Sequence, residues 1–236
     1  MERLNESFII MRKELKGYFN SPIAYIVITV FLAFTGFFFF KDFFYFNQAE
    51  MRNLFQTLPL MFSFVVPAVT MRLFSEERHT GSFEILMTMP VSAWDAALGK
   101  FFAGVVFSAV MLAPTLIYLA TVWFVGSPDM GPVIGGYLGA VLLAAAYTSI
   151  GLLASSLTRN QIVSFITAWA ACFLLWLVDK VVIFLPAPLG FISYFGSDYH
   201  FQNIARGIID TRDVVYFVSI CALSLMFTIK SVEERR

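Results

Sequence analysis

Residues 72–100 read RLFSEERHTGSFEILMTMPVSAWDAALGK, and long uncharged apolar runs lie on both sides of them. The stretch opens on a compact charged cluster, Ser75, Glu76, Glu77 and Arg78. Gly81 follows, and glycine admits a turn with positive φ. Phe83, Leu86 and Met87 then supply one apolar face of a short helix, which Pro90 ends. Ser92 followed by Asp95 makes a capping-box-like start for the next apolar helix. Glycine, proline and cap signals in this order predict a helix–turn–helix joining two apolar helices, rather than a loop whose charges merely meet solvent.

Working outward, the chain has 236 residues, 59% hydrophobic and only 14% charged. A globular domain carries about 25% charge, so this chain cannot cover a surface facing water. The formal net charge is zero, and nothing in that balance points to nucleic acid as a partner. Cys172 and Cys221 both fall inside apolar runs, which reads as buried thiols and suggests no disulfide framework.

A spanning helix needs roughly 20 mostly apolar residues. Six segments qualify or nearly do: Pro22–Phe40, Leu58–Leu73, Phe101–Val125, Val133–Leu157, Ile162–Val178 and Val214–Ile229. The predicted fold class is an all-α polytopic membrane protein with about six transmembrane helices. Pro67 in the second span and Pro114 in the third remove backbone donors and should interrupt their helices.

Orientation follows from basic residues. With a cytoplasmic N-terminus, the inner side holds Arg3, Arg12, Lys13, Lys16, Arg72, Arg78, Lys100, Arg159, Lys230, Arg235 and Arg236. The outer side holds Lys41, Arg52, Lys180, Arg206 and Arg212. That is 11 against 5 of the 16 in the chain, so both termini are expected in the cytoplasm.

Before the first span, residues 1–20 carry Leu4, Phe8, Met11, Leu15 and Phe19 at three- and four-residue steps, with Arg12, Lys13 and Lys16 off that stripe. This predicts an amphipathic helix lying in the membrane interface; a plain lead-in helix in water is the alternative. Phe37–Phe40, Phe43, Phe44, Tyr45 and Phe46 read as an aromatic belt at the outer interface. In the fourth span, Gly136, Ala140, Ala144 and Thr148 form one small-residue stripe, and Gly131, Gly135 and Gly139 a second. Such stripes let helices approach closely, within one subunit or between two. Residues 179–213 are too long for a simple turn and read as a re-entrant or interfacial segment, with an amphipathic helix over Tyr199–Ile209. There Arg206 and Asp210, four apart, would pair on one face, and Asp213 would complete a charged rim. That rim is a candidate external partner or gating surface; helix-capping charges at a membrane boundary are the alternative.

The pattern R-x-F-S-E-E-R-x-x-G-S-x-E-x-L-x-x-x-P-V-S, ending in Gly99-Lys100, resembles the ABC-2 family of ATP-binding-cassette permeases. The stretch HFQNIARGIIDTRDVVYF, His200 to Phe217, resembles the matching region of gliding-motility-associated permeases of the F type. The resemblance covers essentially the whole chain as one transmembrane domain, 1–236. It departs at Ser82, where many members have threonine. It implies that Glu76, Glu77, Arg78 and Gly81 belong to a coupling helix docking on an ATPase subunit, with Glu84, Leu86 and Pro90 as the following support. It implies that residues 1–20 are the family's interface helix and residues 72–100 its cytoplasmic coupling region. The implied partners are an ABC ATPase and a second permease subunit of the same or a related kind, in a bed of membrane lipids; the external segment Asp198–Asp213 is a candidate surface for an external or periplasmic protein. The implied location is the bacterial inner membrane.

A P-loop needs G-x-x-x-x-G-K-[ST]. The Gly99-Lys100 pair is followed by Phe101, and Trp94 stands where the first glycine belongs. No cofactor is therefore expected on this chain; ATP and Mg would be bound by the partner. Two other classes fit the sequence less well. A membrane-embedded prenyl-protein protease would want E-E-x-x-x-R, and Gly81 stands where the arginine should be. An ion-coupled carrier usually holds ionisable residues within its spans, whereas Asp179, Lys180 and Asp213 sit at span ends. The cargo, and whether the chain moves a solute or acts mechanically, is not written in apolar spans.

Overall fold

The computed structural model describes residues 2–46, 50–83, 92–126, 128–182 and 187–234. Ten α-helices occur among them and no strand. They are α1 (Glu2–Phe19), α2 (Pro22–Phe46), α3 (Arg52–Thr70), α4 (Arg72–Thr80), α5 (Ala93–Leu112), α6 (Leu116–Val125), α7 (Met130–Leu157), α8 (Gln161–Val181), α9 (Ser197–Ala205) and α10 (Thr211–Glu233). Among the described residues, six stretches are long and apolar enough to cross a membrane: Pro22–Lys41, Arg52–Thr80, Ala93–Val125, Met130–Leu157, Gln161–Val181 and Thr211–Glu233. The protein is all-α and polytopic.

The helix ends follow local chemistry. Ser92 caps α5 by accepting from the Asp95 amide at 3.1 Å, as the sequence predicts. Asp129, Asn160 and Asp210 accept from backbone amides at the starts of α7, α8 and α10. Pro114 falls in a 3₁₀ turn, Ala113–Thr115, which separates α5 from α6. Pro59 and Pro67 stay inside α3, and the interruption lies beyond them at Met71. The second span is also longer than predicted. It starts at Arg52 rather than Leu58 and continues through α4 to Thr80.

The centre of the bundle is α7, and both small-residue stripes are used within the subunit. A Cβ on Gly136 would stand 2.4 Å from the Phe55 ring of α3, and one on Gly151 would stand 1.9 Å from Thr70 Oγ1. One on Gly104 of α5 would stand 2.6 Å from Thr148 Cγ2. The Gly135–Gly139 edge receives α9 through Ile204 and Phe201. Real Cβ atoms do not approach so closely, so these glycines are what allows van der Waals contact between helices that have no hydrophobic drive to associate in lipid. Only 17% of the fifth span is buried, against 61% of the second and fourth, so α8 presents most of its surface outward.

The segment before the sixth span differs from expectation. Its helix covers Ser197–Ala205, not Tyr199–Ile209. Gly207 takes φ +86° and turns the chain away. Phe201 and Ile204 are buried in the bundle, and Ile208 and Ile209 lie on its outer surface. The segment is clamped by polar contacts: Tyr147 to Ser197 at 2.7 Å, and Lys180 to Asp198 at 2.5 Å and to Asp179 at 3.1 Å. His200 lies between Asp213 Oδ1 at 2.5 Å and the Tyr194 carbonyl at 2.9 Å, and stacks on Tyr216.

Candidate functional site

The charged cluster read from the sequence is α4, and its residues divide between an exposed tip and a buried joint. Arg72 Nε donates to Glu76 Oε2 at 2.9 Å and Nη2 to Oε1 at 3.3 Å, a fork matched to a carboxylate. Gly81 at φ +77° ends the helix in the left-handed conformation that favours glycine. His79, Thr80, Gly81 and Ser82 are exposed there, while Arg78 is buried with its guanidinium 5.0 Å from the centroid of Phe83.

Glu77 faces inward. Its carboxylate meets Lys100 Nζ at 2.8 Å, with Lys13 farther off at 3.8 Å. Lys100 is 1% exposed. It also donates to Glu14 at 2.9 Å and to the Leu73 carbonyl at 2.6 Å, and its ammonium stands 5.1 Å from the Phe74 ring centroid. One buried ammonium thus ties α1, α4 and α5 together. Such a charge is tolerated only when paired and fully hydrogen-bonded, and three oxygen acceptors meet that need.

The same seam continues along α1. Ser7 Oγ donates to Asp95 at 3.0 Å, and Asp95 also accepts from the Ser92 hydroxyl. Gly99 lets Ile10 and the Ser7 carbonyl press against α5; a Cβ there would stand 2.7 Å from that carbonyl. Tyr18 donates to the Val69 carbonyl at 3.0 Å. Burial, reinforced by the Glu14 carboxylate, pushes the Tyr18 phenol above its ordinary pKa. The face of α1 turned to the bundle therefore runs Ser7, Ile10, Glu14, Tyr18, and Phe8 and Ile9 point outward.

A third element sets the joint between α3 and α4. Ser155 of α7, fully buried, donates to the Met71 carbonyl at 2.9 Å. It accepts from the amides of Phe74 and Ser75 at 2.9 and 3.0 Å. A side chain inserted into the i→i−4 ladder is a standard cause of a helix break. It accounts for the break at Met71, downstream of the proline that the sequence singles out. Ser75 Oγ donates to the same Met71 carbonyl.

A family profile described as ABC-2 family transporter protein matches residues 8–229. The chain belongs to the ABC-2 transporter family. It is the permease component of an ABC transporter, a membrane subunit of a family that is generally not itself catalytic. No curated protein matches it.

Within this permease, Glu76, Glu77 and Arg78 share one short helix that Gly81 ends, but with different surroundings. Glu84, Leu86, Met87 and Pro90 lie outside the described residues. At the other end, Arg206, Asp210 and Asp213 do not form the expected rim. Arg206 and Asp210 are exposed on either side of the Gly207 turn and make no ion pair with each other. Asp213 is 3% exposed and held by His200. The pairing assumed one continuous helix through Ile209, and the left-handed glycine removes it. Glu14, Ser155 and Lys100 are the residues that sequence reading missed. The available signals were a lone lysine opening an apolar span and a polar residue on the inner stripe of α1.

Proposed function

We propose that this permease is driven by a separate P-loop ATPase that docks on the tip His79–Ser82 at the cytoplasmic side. The observation that carries this reading is the division within α4. Its tip is open while Glu77 is locked to Lys100, which also holds Glu14. A push on the tip would pass through Glu77–Lys100 to α1 and α5, and through the Ser155 joint to α3 and α7. ATP and Mg would be held by the partner. The membrane is the bacterial inner membrane, with both termini cytoplasmic, as the distribution of lysine and arginine favours. A second permease subunit, of the same or a related kind, would complete the path; the largely unburied fifth span is a face it could cover. The resemblance at residues 200–217 favours the gliding-motility-associated F-type subgroup. Transport of a solute and mechanical action on an external partner both fit this drive.

The test is a charge change confined to the tip. His79→Glu combined with Ser82→Glu should leave the thermal midpoint of the purified permease within about 2 °C of wild type, because exposed substitutions change stability little. Stimulation of the ATPase by the permease should fall at least about tenfold, the effect of roughly 1.4 kcal/mol of lost docking energy. Undiminished stimulation would remove the tip from the interface.

A further inference from the structure

We infer that the cleft between α1, α2 and the α3–α4 joint binds a zwitterionic phosphoethanolamine lipid, headgroup at the mouth and acyl chain along the floor. The cleft has a volume of about 290 Å³. Its mouth carries Glu14, Arg72 and Glu76; its floor is Ala24, Val27, Val69 and Phe107. A charged rim over an apolar floor is the form of a site for an amphiphile. The mouth opens where α1 turns through Ser21 into α2, and Ile23, Tyr25 and Ile26 just beyond it are exposed. An acyl chain seated on the floor would therefore continue into the surrounding bilayer.

Charge selects the headgroup. The rim holds two carboxylates and one guanidinium. Arg72 uses Nε and Nη2 on Glu76, which leaves Nη1 to donate to a phosphate oxygen. Glu14 gives Oε1 to Lys100, which leaves Oε2 to accept from an ammonium. A phosphate flanked by an ammonium satisfies both at once. A phosphoglycerol headgroup would satisfy Arg72 but bring no cation to the second oxygen of Glu14. The inference rests on the membrane placement of the family and is independent of ATPase docking at the tip.

Gly17 supplies a clean probe. It lines the cleft, and a Cβ built on it meets nothing within 4 Å, so Gly17→Phe starts from open space, projects a ring into the mouth and removes a helix-interior glycine. The experiment is native mass spectrometry of the purified, delipidated full-length permease titrated with phosphatidylethanolamine or phosphatidylglycerol of identical chains. We expect wild type to retain the ethanolamine lipid at least about fivefold better, and Gly17→Phe to lose that retention with its thermal midpoint unchanged. Arg72→Gln with Glu76→Gln should bind both lipids equally, which separates headgroup recognition from occupancy of the floor. Equal retention of the two lipids by wild type would overturn the assignment, as would unaltered retention in Gly17→Phe. Preference for the glycerol lipid would show an anion site and overturn it too. If the permease still stimulates its ATPase while these lipids bind alike, only the lipid inference falls.

Discussion

Lys100→Met lowers the thermal midpoint of the purified permease by about 10 °C. The methionine keeps the unbranched stem and removes the ammonium. Glu14 and Glu77, 19% and 16% exposed, are then left with only the exposed Lys13 near Glu77 at 3.8 Å, and the Leu73 carbonyl loses the ammonium donor. Removing one partner of a buried pair costs about 3–5 kcal/mol. For a chain of this size each kcal/mol is worth roughly 2–4 °C. The cost lies in the uncompensated carboxylates, so neutralising them should recover most of it. Lys100→Met with Glu14→Gln and Glu77→Gln is expected to melt within a few degrees of wild type. That triple variant should still stimulate an ATPase poorly, since α4 is no longer fixed to α1. Thermal unfolding in detergent and ATPase stimulation, measured on the same preparations, separate the two effects. A single variant that melts like wild type would show that the buried ion cluster does not hold the helices together.

Gly135→Ala is the second large effect, at the opposite end of the bundle. The added Cβ would stand 2.2 Å from the Ile204 carbonyl oxygen and 3.1 Å from Gly207 Cα. These are backbone atoms, and no rotamer change can clear them. The Ile204 carbonyl also accepts from the Gly207 amide at 2.9 Å, closing the turn after α9. The substitution must therefore lift α9 off α7 or deform that turn, at about 3 kcal/mol, the upper end of the overpacking range. Gly131→Ala, one helical turn earlier, is the control, because its Cβ would make an ordinary contact 3.5 Å from Asp129 Oδ1. We expect Gly135→Ala to melt well below the control, with Ser197→Cys becoming reactive to a water-soluble maleimide only in the Gly135→Ala background. Equal melting of the two alanine variants would mean that α9 is not seated on Gly135.

What could be read from the sequence follows from how local each signal is. Span number, the Ser92 cap, the break at Pro114 and the Gly81 turn depend on a few neighbouring residues, and all appear where the pattern places them. The break in the second span does not, because Ser155, eighty residues from α4, makes it. The stripe Leu4, Phe8, Met11, Leu15, Phe19 identified α1 as amphipathic. Yet the face that docks carries Ser7 and Glu14, since α5 offers Asp95 and Lys100 there, and no periodicity in α1 alone could show that. The charged rim at Arg206, Asp210 and Asp213 failed for a local reason that was visible. Gly207 stands between the first two, and a glycine followed by an Asp cap signals the end of one helix and the start of another. Glu77 illustrates the remaining limit. Two adjacent glutamates look equivalent in sequence, and only the packing of α5 turns one towards solvent and the other towards a buried lysine.

In the function proposed above, the tip of α4 meets an ATPase on the cytoplasmic side. Its most direct test is site-specific photocrosslinking in intact cells, with benzoylphenylalanine placed at His79 in one strain and at Arg206 in another, both exposed positions. The His79 probe is expected to join the permease to a cytoplasmic protein carrying a P-loop, and the Arg206 probe is not. Crosslinking of that ATPase from Arg206 and not from His79 would contradict both the docking site and the orientation.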